Sequence, residues 1–142
     1  MAAPPQPKPV LDPAAIAALR DLNPGGDSFF RDLVQIFLDD SPKRIADIEQ
    51  SLVKGDARQL TLAAHSLKGS SANFGAGQLR ALSEQLELRG RQGSLGDAPA
   101  QLLALKDEFA RVRAALEALP SREVIVPSTS GKEKAPGSRR AP

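Results

Sequence analysis

The chain contains no cysteine, one histidine and no long apolar run, and each shortage removes a class of function. Without cysteine there is no disulfide framework and no thiolate metal site, which fits a reducing compartment. With a single histidine, any metal would rest on carboxylates. The pairs Asp39 with Asp40 and Asp107 with Glu108 are adjacent and diverge around a helix, so they read as solvated charge. No window approaches the roughly 20 apolar residues of a membrane span, and the opening MAAPPQPKPV lacks the apolar stretch of a secretory signal. A soluble, cytoplasmic protein without membrane association is expected. The glycine-bearing stretch Gly69 to Gly75 lacks the G-x-x-x-x-G-K-[ST] pattern and follows no strand, which excludes a nucleotide-binding P-loop. No nucleophile, base and orienting acid stand together as a hydrolytic triad.

The positive charge is unevenly placed. The formal net charge is +2 and the isoelectric point near 9.2. After Pro120, however, Arg122, Lys132, Lys134, Arg139 and Arg140 stand against Glu123 and Glu133, a balance of +3 that leaves −1 for everything before it. The basic balance therefore belongs to a tail, and no nucleic-acid partner is expected.

At 142 residues there is room for one domain with a single core. Residues 1–10, rich in Pro and Ala, and residues 120–142, rich in Pro, Ser, Gly and charge, read as disordered ends around a domain at 11–119. Between them the apolar residues keep helical spacing and never alternate as in strands. A short helix opens at Asp12 with Pro13 in its first position, Leu11 packing on Ile16, and stops near Leu22 before Asn23 to Gly26. A longer one runs from Asp27 to about Lys54, with Pro42 predicting either a kink or a restart capped by Ser41. Further helices are predicted from about Ala57 to Phe74, closed by Gly75, from about Gln78 to Arg91, and from Asp97 to Leu119. The fold class is all-α: an antiparallel four-helix bundle with a short additional N-terminal helix lying across it.

At 100° per residue, Ala63, Ala64, Leu67, Ser71 and Phe74 fall within roughly 60° of Leu60 and make with it the buried stripe of the third long segment. His65 lies roughly 140° away, alongside Thr61, Lys68, Gly69 and Ala72, and is expected to face solvent. An ordinary surface histidine would satisfy that geometry, but its neighbours argue for chemistry. A neutral imidazole is a competent nucleophile toward an activated phosphoryl group. Lys68 and Gly69, three and four positions on, share its face: an ammonium to balance a phosphoryl dianion, and a glycine that costs the helix about 1 kcal/mol against alanine. Pointing away from the core, Gly69 gives clearance for the phosphoryl group or for a partner.

The stretch AHSLKGSSANFGA, residues 64–76, resembles the signature of the histidine phosphotransfer (HPt) family, H-x-L-K-G-S-[SA]-A-x-x-G-A, and the likeness extends more weakly over residues 11–119. His65 is followed by SLKGSS and not by the Glu-Leu-Arg-Thr-Pro of kinase dimerisation helices, and the chain has no length for an ATP-binding domain. The resemblance implies a carrier of a multistep phosphorelay, not an enzyme with its own turnover. His65 would accept a phosphoryl group from an aspartyl-phosphate receiver domain and pass it to another receiver, with Lys68 as electrostatic partner and Gly69 as the clearance position. Ser70, Ser71 and Asn73 match the motif as well, Ser71 as a small inward residue and Asn73 as a helix finisher. Partners would be response-regulator receivers and a hybrid sensor histidine kinase. The chain itself would be a monomer binding no cofactor, with Mg²⁺ on the receiver. Leu62 and Ala72 beside the histidine are candidate partner contacts, and Gln85, Arg89 and Arg91 are candidates for the polar or basic side chain that family members bring from the next helix. The rival reading is a helical adaptor, or a degenerate member that docks such partners without being phosphorylated.

Overall fold

The computed structural model describes residues 9–120, so the expectations for residues 1–8 and 121–142 lie outside the described residues. Five helices follow one another: α1 (Pro13–Asp21), α2 (Ser28–Lys54), α3 (Ala57–Asn73), α4 (Gly77–Gln92) and α5 (Ala98–Ala118), with no strand among the described residues. No helix among them is long and apolar enough to cross a membrane. The starts are set by side chains that satisfy free backbone donors: Asp12 Oδ1 accepts from the N–H of Ala14 at 3.0 Å, and Asp56 Oδ1 from that of Gln59 at 3.0 Å. Asp97 precedes α5 without making such a bond and pairs instead with Arg89 at 3.6 Å.

Of the two outcomes expected at Pro42, the restart capped by Ser41 does not occur. α2 runs unbroken through it, and Ser41 is a buried helical residue, not a cap. One hydrogen bond is forfeited, but Phe30, Phe37 and Leu38 before the proline and Ile45 and Ile48 after it are buried in the same core, and that packing outweighs the local preference.

α3 packs between α2 and α4, α5 closes on α4 and α2, and α1 rests on α2. Phe37 of α2 lies 4.9 Å from Phe74 at the end of α3 and 6.0 Å from Phe109 of α5, centroid to centroid, joining three segments through tilted rings. Leu60, Ala63, Ala64, Leu67, Ser71 and Phe74 are all buried, as the helical stripe requires.

Two glycines fix how the helices meet. Gly75 has φ 64°, and a Cβ there would stand 2.9 Å from the backbone nitrogen of Asp12, whose N–H donates to Gly75 O at 2.9 Å. Gly90 of α4 lies against the α3 backbone: a Cβ would overlap Thr61 Oγ1 and come within 2.8 Å of Thr61 N and 2.9 Å of Ala57 O. At the end of α1, Arg20 donates to Pro120 O at 2.7 Å, its Nε lies 3.4 Å from Asp27 Oδ2, and its guanidinium sits 4.9 Å from the Phe30 ring centroid.

Candidate functional site

His65 stands on the outer side of α3 with its side chain 62% exposed. Its ring is nevertheless not free. Nδ1 lies 2.9 Å from Oε2 of Glu87, a carboxylate on α4 whose side chain is only 4% exposed. The same oxygen accepts from Arg91 at 2.7 Å, while Lys68 Nζ lies 2.7 Å from Oε1. The Lys68 contact is a short charge-assisted pair to the buried oxygen Oε1. The Lys68 side chain is itself 24% exposed.

Burial by itself would push the Glu87 carboxyl upward, but the contacts from Lys68, Arg91 and His65 outweigh it and bring it down to about 2. An ionised carboxylate only accepts hydrogen bonds, so the proton between Glu87 and the ring sits on the imidazole. Nδ1 therefore carries a proton, and Nε2 has no hydrogen-bond partner among the described residues. The lowered Glu87 carboxyl also makes a stability prediction. A group protonated more easily in the unfolded chain, near 4.5, than in the fold, near 2, stabilises the fold fully above the first value and loses that contribution as pH falls through the second. Melting temperatures are expected to fall across that window in the wild type and to fall less in Glu87→Gln. Equal slopes for the two proteins would remove Glu87 from the acid response.

The residues singled out from the sequence are sorted as follows. His65 and Lys68 meet at Glu87. Gly69 is exposed, and a Cβ built there would touch nothing within 4 Å, so no packing among the described residues explains the glycine. Leu62, 58% exposed, and Ala72 lie on the same outer side. Of the three fourth-helix candidates, Arg91 alone joins the cluster, through Glu87. Gln85 accepts from Gln101 of α5 at 3.5 Å and Arg89 pairs with Asp97, so both turn toward α5. Ser71 is buried, its hydroxyl donating to Leu67 O at 2.6 Å, and Ser70 bonds within its own helix.

Glu87 is the residue that sequence reasoning missed. Glu108, taken as solvated, is likewise buried, with Arg111 Nε 2.8 Å from Oε1. In both cases an arginine three or four positions on covers a carboxylate on an inward face. That spacing, together with the small residues Ser83 and Gly90 on either side of Glu87, was the available signal.

Against this geometry stand the comparisons. The family profile described as the Hpt domain matches residues 32–115. The crystal structure of histidine-containing phosphotransfer protein B from Pseudomonas aeruginosa PAO1 is similar, with 36% sequence identity, a TM-score of 0.72, and coverage of 77% of this chain and 92% of that one. A search of curated proteins returned no match.

Proposed function

This chain belongs to the Hpt domain family, whose members carry phosphoryl groups on histidine in phosphorelays, and from that premise we propose that His65 is its phosphorylated residue. One observation supports the assignment above the rest: the sole histidine is exposed, held at Nδ1 by a buried carboxylate, and so presents Nε2 outward with Lys68 at its side. In this reading Nε2 attacks the phosphorus of a receiver aspartyl phosphate, and the P–O bond breaks with its electron pair leaving on the aspartate. Lys68 turns from Glu87 to the incoming phosphoryl oxygens, and Arg91 keeps Glu87 paired meanwhile. Gly69 supplies the space into which the receiver's site presses. α2 to α5 form an antiparallel four-helix bundle with α1 across one end.

The chain has no turnover of its own in this reading. The receiver brings the acidic cluster and Mg²⁺, and the chain acts as a cytoplasmic monomer between a hybrid sensor kinase and a response regulator. Leu62 and Ala72 contact the receiver around the histidine.

Incubation of the purified chain with a phosphorylated receiver tests this. Label is expected to move to the chain in an acid-labile, alkali-stable linkage that maps to His65. Tight binding with no label transferred would leave only the adaptor reading. Gly69→Leu gives a second check. The leucine meets open space and improves the helix, so stability should hold or rise slightly. Transfer from the receiver should fall roughly a hundredfold, the scale of a misplacement of about 1 Å between reacting groups. Wild-type exchange rates in this variant would rule out the clearance role.

A further inference from the structure

Steps of four, three and four residues place Arg58, Leu62, His65 and Gly69 on one line along α3. Arg58 thus stands about 10 Å from His65 along the helix axis and within roughly 20° of it around the helix. The line borders a notch of about 400 Å³ between α2 and α3, in which Leu62 and Ala63 supply apolar surface and Arg58, Gln59 and Ser66 supply polar side chains.

The charges around this notch are matched with one exception. On the α2 wall, Arg44 lies 3.5 Å from Asp47 and 3.3 Å from Asp40. Asp56, at the foot of α3, is taken up by the helix start, where its Oδ1 accepts from the N–H of Gln59 at 3.0 Å. Of the cations on the outer sides of α3 and α4 around His65, Lys68 and Arg91 are both bound to Glu87. Arg58 is exposed, and among the described residues its guanidinium meets no carboxylate and makes no hydrogen bond. A planar guanidinium offers two parallel donors to a carboxylate, so the group this position lacks is an acid brought from outside.

Resting on the carrier reading above, we infer that Arg58 is a specificity-determining residue. It pairs with an Asp or Glu side chain on the rim of the receivers that exchange with this chain, seated in the notch against Leu62. Receivers that bring a lysine or arginine to the same place are turned away, because like charges set face to face are costly. At about 10 Å from the reacting nitrogen, roughly one Debye length in dilute salt, Arg58 has little direct hold on the phosphoryl group. Its charge acts on encounter and on the choice of partner, and the bond changes at Nε2 proceed as before once the receiver is seated.

Transfer from a phosphorylated receiver, followed against receiver concentration, separates docking from chemistry. In Arg58→Glu the half-saturating receiver concentration is expected to rise about tenfold at low ionic strength, and to rise less as salt is added. The rate at saturation should change less than about twofold, since a rim charge governs association. Arg58→Lys should keep most of the affinity. Replacing one acidic rim residue of the receiver by lysine should weaken exchange with the wild type and restore it with Arg58→Glu. Unchanged half-saturation in Arg58→Glu would overturn the inference. So would a loss of saturating rate that salt does not alter and Arg58→Lys does not recover, the mark of a structural role. Phosphoramidate, which needs no docking surface, keeps the two readings apart. If His65 loads from it normally, those negative results remove the role of Arg58 alone, whereas failure of His65 to load at all would overturn the carrier reading as well.

Discussion

Replacing His65 by glutamine is expected to abolish phosphoryl acceptance while leaving the fold as stable as before. The side chain is more than half exposed, and its one hydrogen bond among the described residues is to Glu87, which retains Lys68 and Arg91 as partners. A change of this kind alters stability by no more than about 0.5 kcal/mol. Acceptance has no fallback, because the chain offers no second imidazole and no thiol. Labelling by a phosphorylated receiver should therefore drop to background, with the circular dichroism spectrum and melting temperature unmoved. Residual acid-labile label on the variant would place the phosphoryl group elsewhere.

The second large effect belongs to a residue with no chemistry. Gly90→Ala should destabilise the fold by about 1–3 kcal/mol, the usual result of overfilling a packed contact. The methyl group would meet the backbone of Thr61 and Ala57, which cannot swing aside as a flexible side chain can, so α3 and α4 must separate. The gain in helix propensity of about 1 kcal/mol works against this and is the smaller term. A melting temperature lower by roughly 4–8 °C per kcal/mol is the readout. Because Thr61 lies one turn before His65 and Gly90 three residues after Glu87, the separation should also lengthen the contact between those two side chains. Slower phosphoryl acceptance should accompany the loss of stability. A Gly90→Ala protein melting at the wild-type temperature would show that the helices have room to spare.

The contrast between Gly90 and Gly69 shows what was readable in the sequence and what was not. Both are mid-helix glycines, and period alone placed Gly69 outward, where the structure finds open space. Nothing in the spacing of α4 told that Gly90 touches a neighbouring backbone, since the partner is set by how two helices cross. The buried stripe of α3, the Asp12 start and the exposure of His65 depend on local geometry and were legible. Glu87 was not. A glutamate in LSEQLELRGR looks solvated until the arginine four positions on and the lysine of another helix are seen to neutralise it. At Pro42 the restart at Ser41 was overruled by the apolar face on both sides of it.

The contacts of α1 bear on how such a domain can be joined to others. Its first residues are tied at Gly75 and its last at Pro120, so the chain's approach to the fold and its departure are separated by the length of α1, about 13 Å for nine residues. His65 lies ten residues up α3 from Gly75, about 15 Å along the helix axis. A domain whose chain enters and leaves about 13 Å apart, with its entrance about 15 Å from His65, can be spliced into a longer polypeptide, or tethered at either side, with the histidine left open to visitors. The fold is in this respect a cassette: what precedes and follows it can change while the face it offers for exchange stays the same.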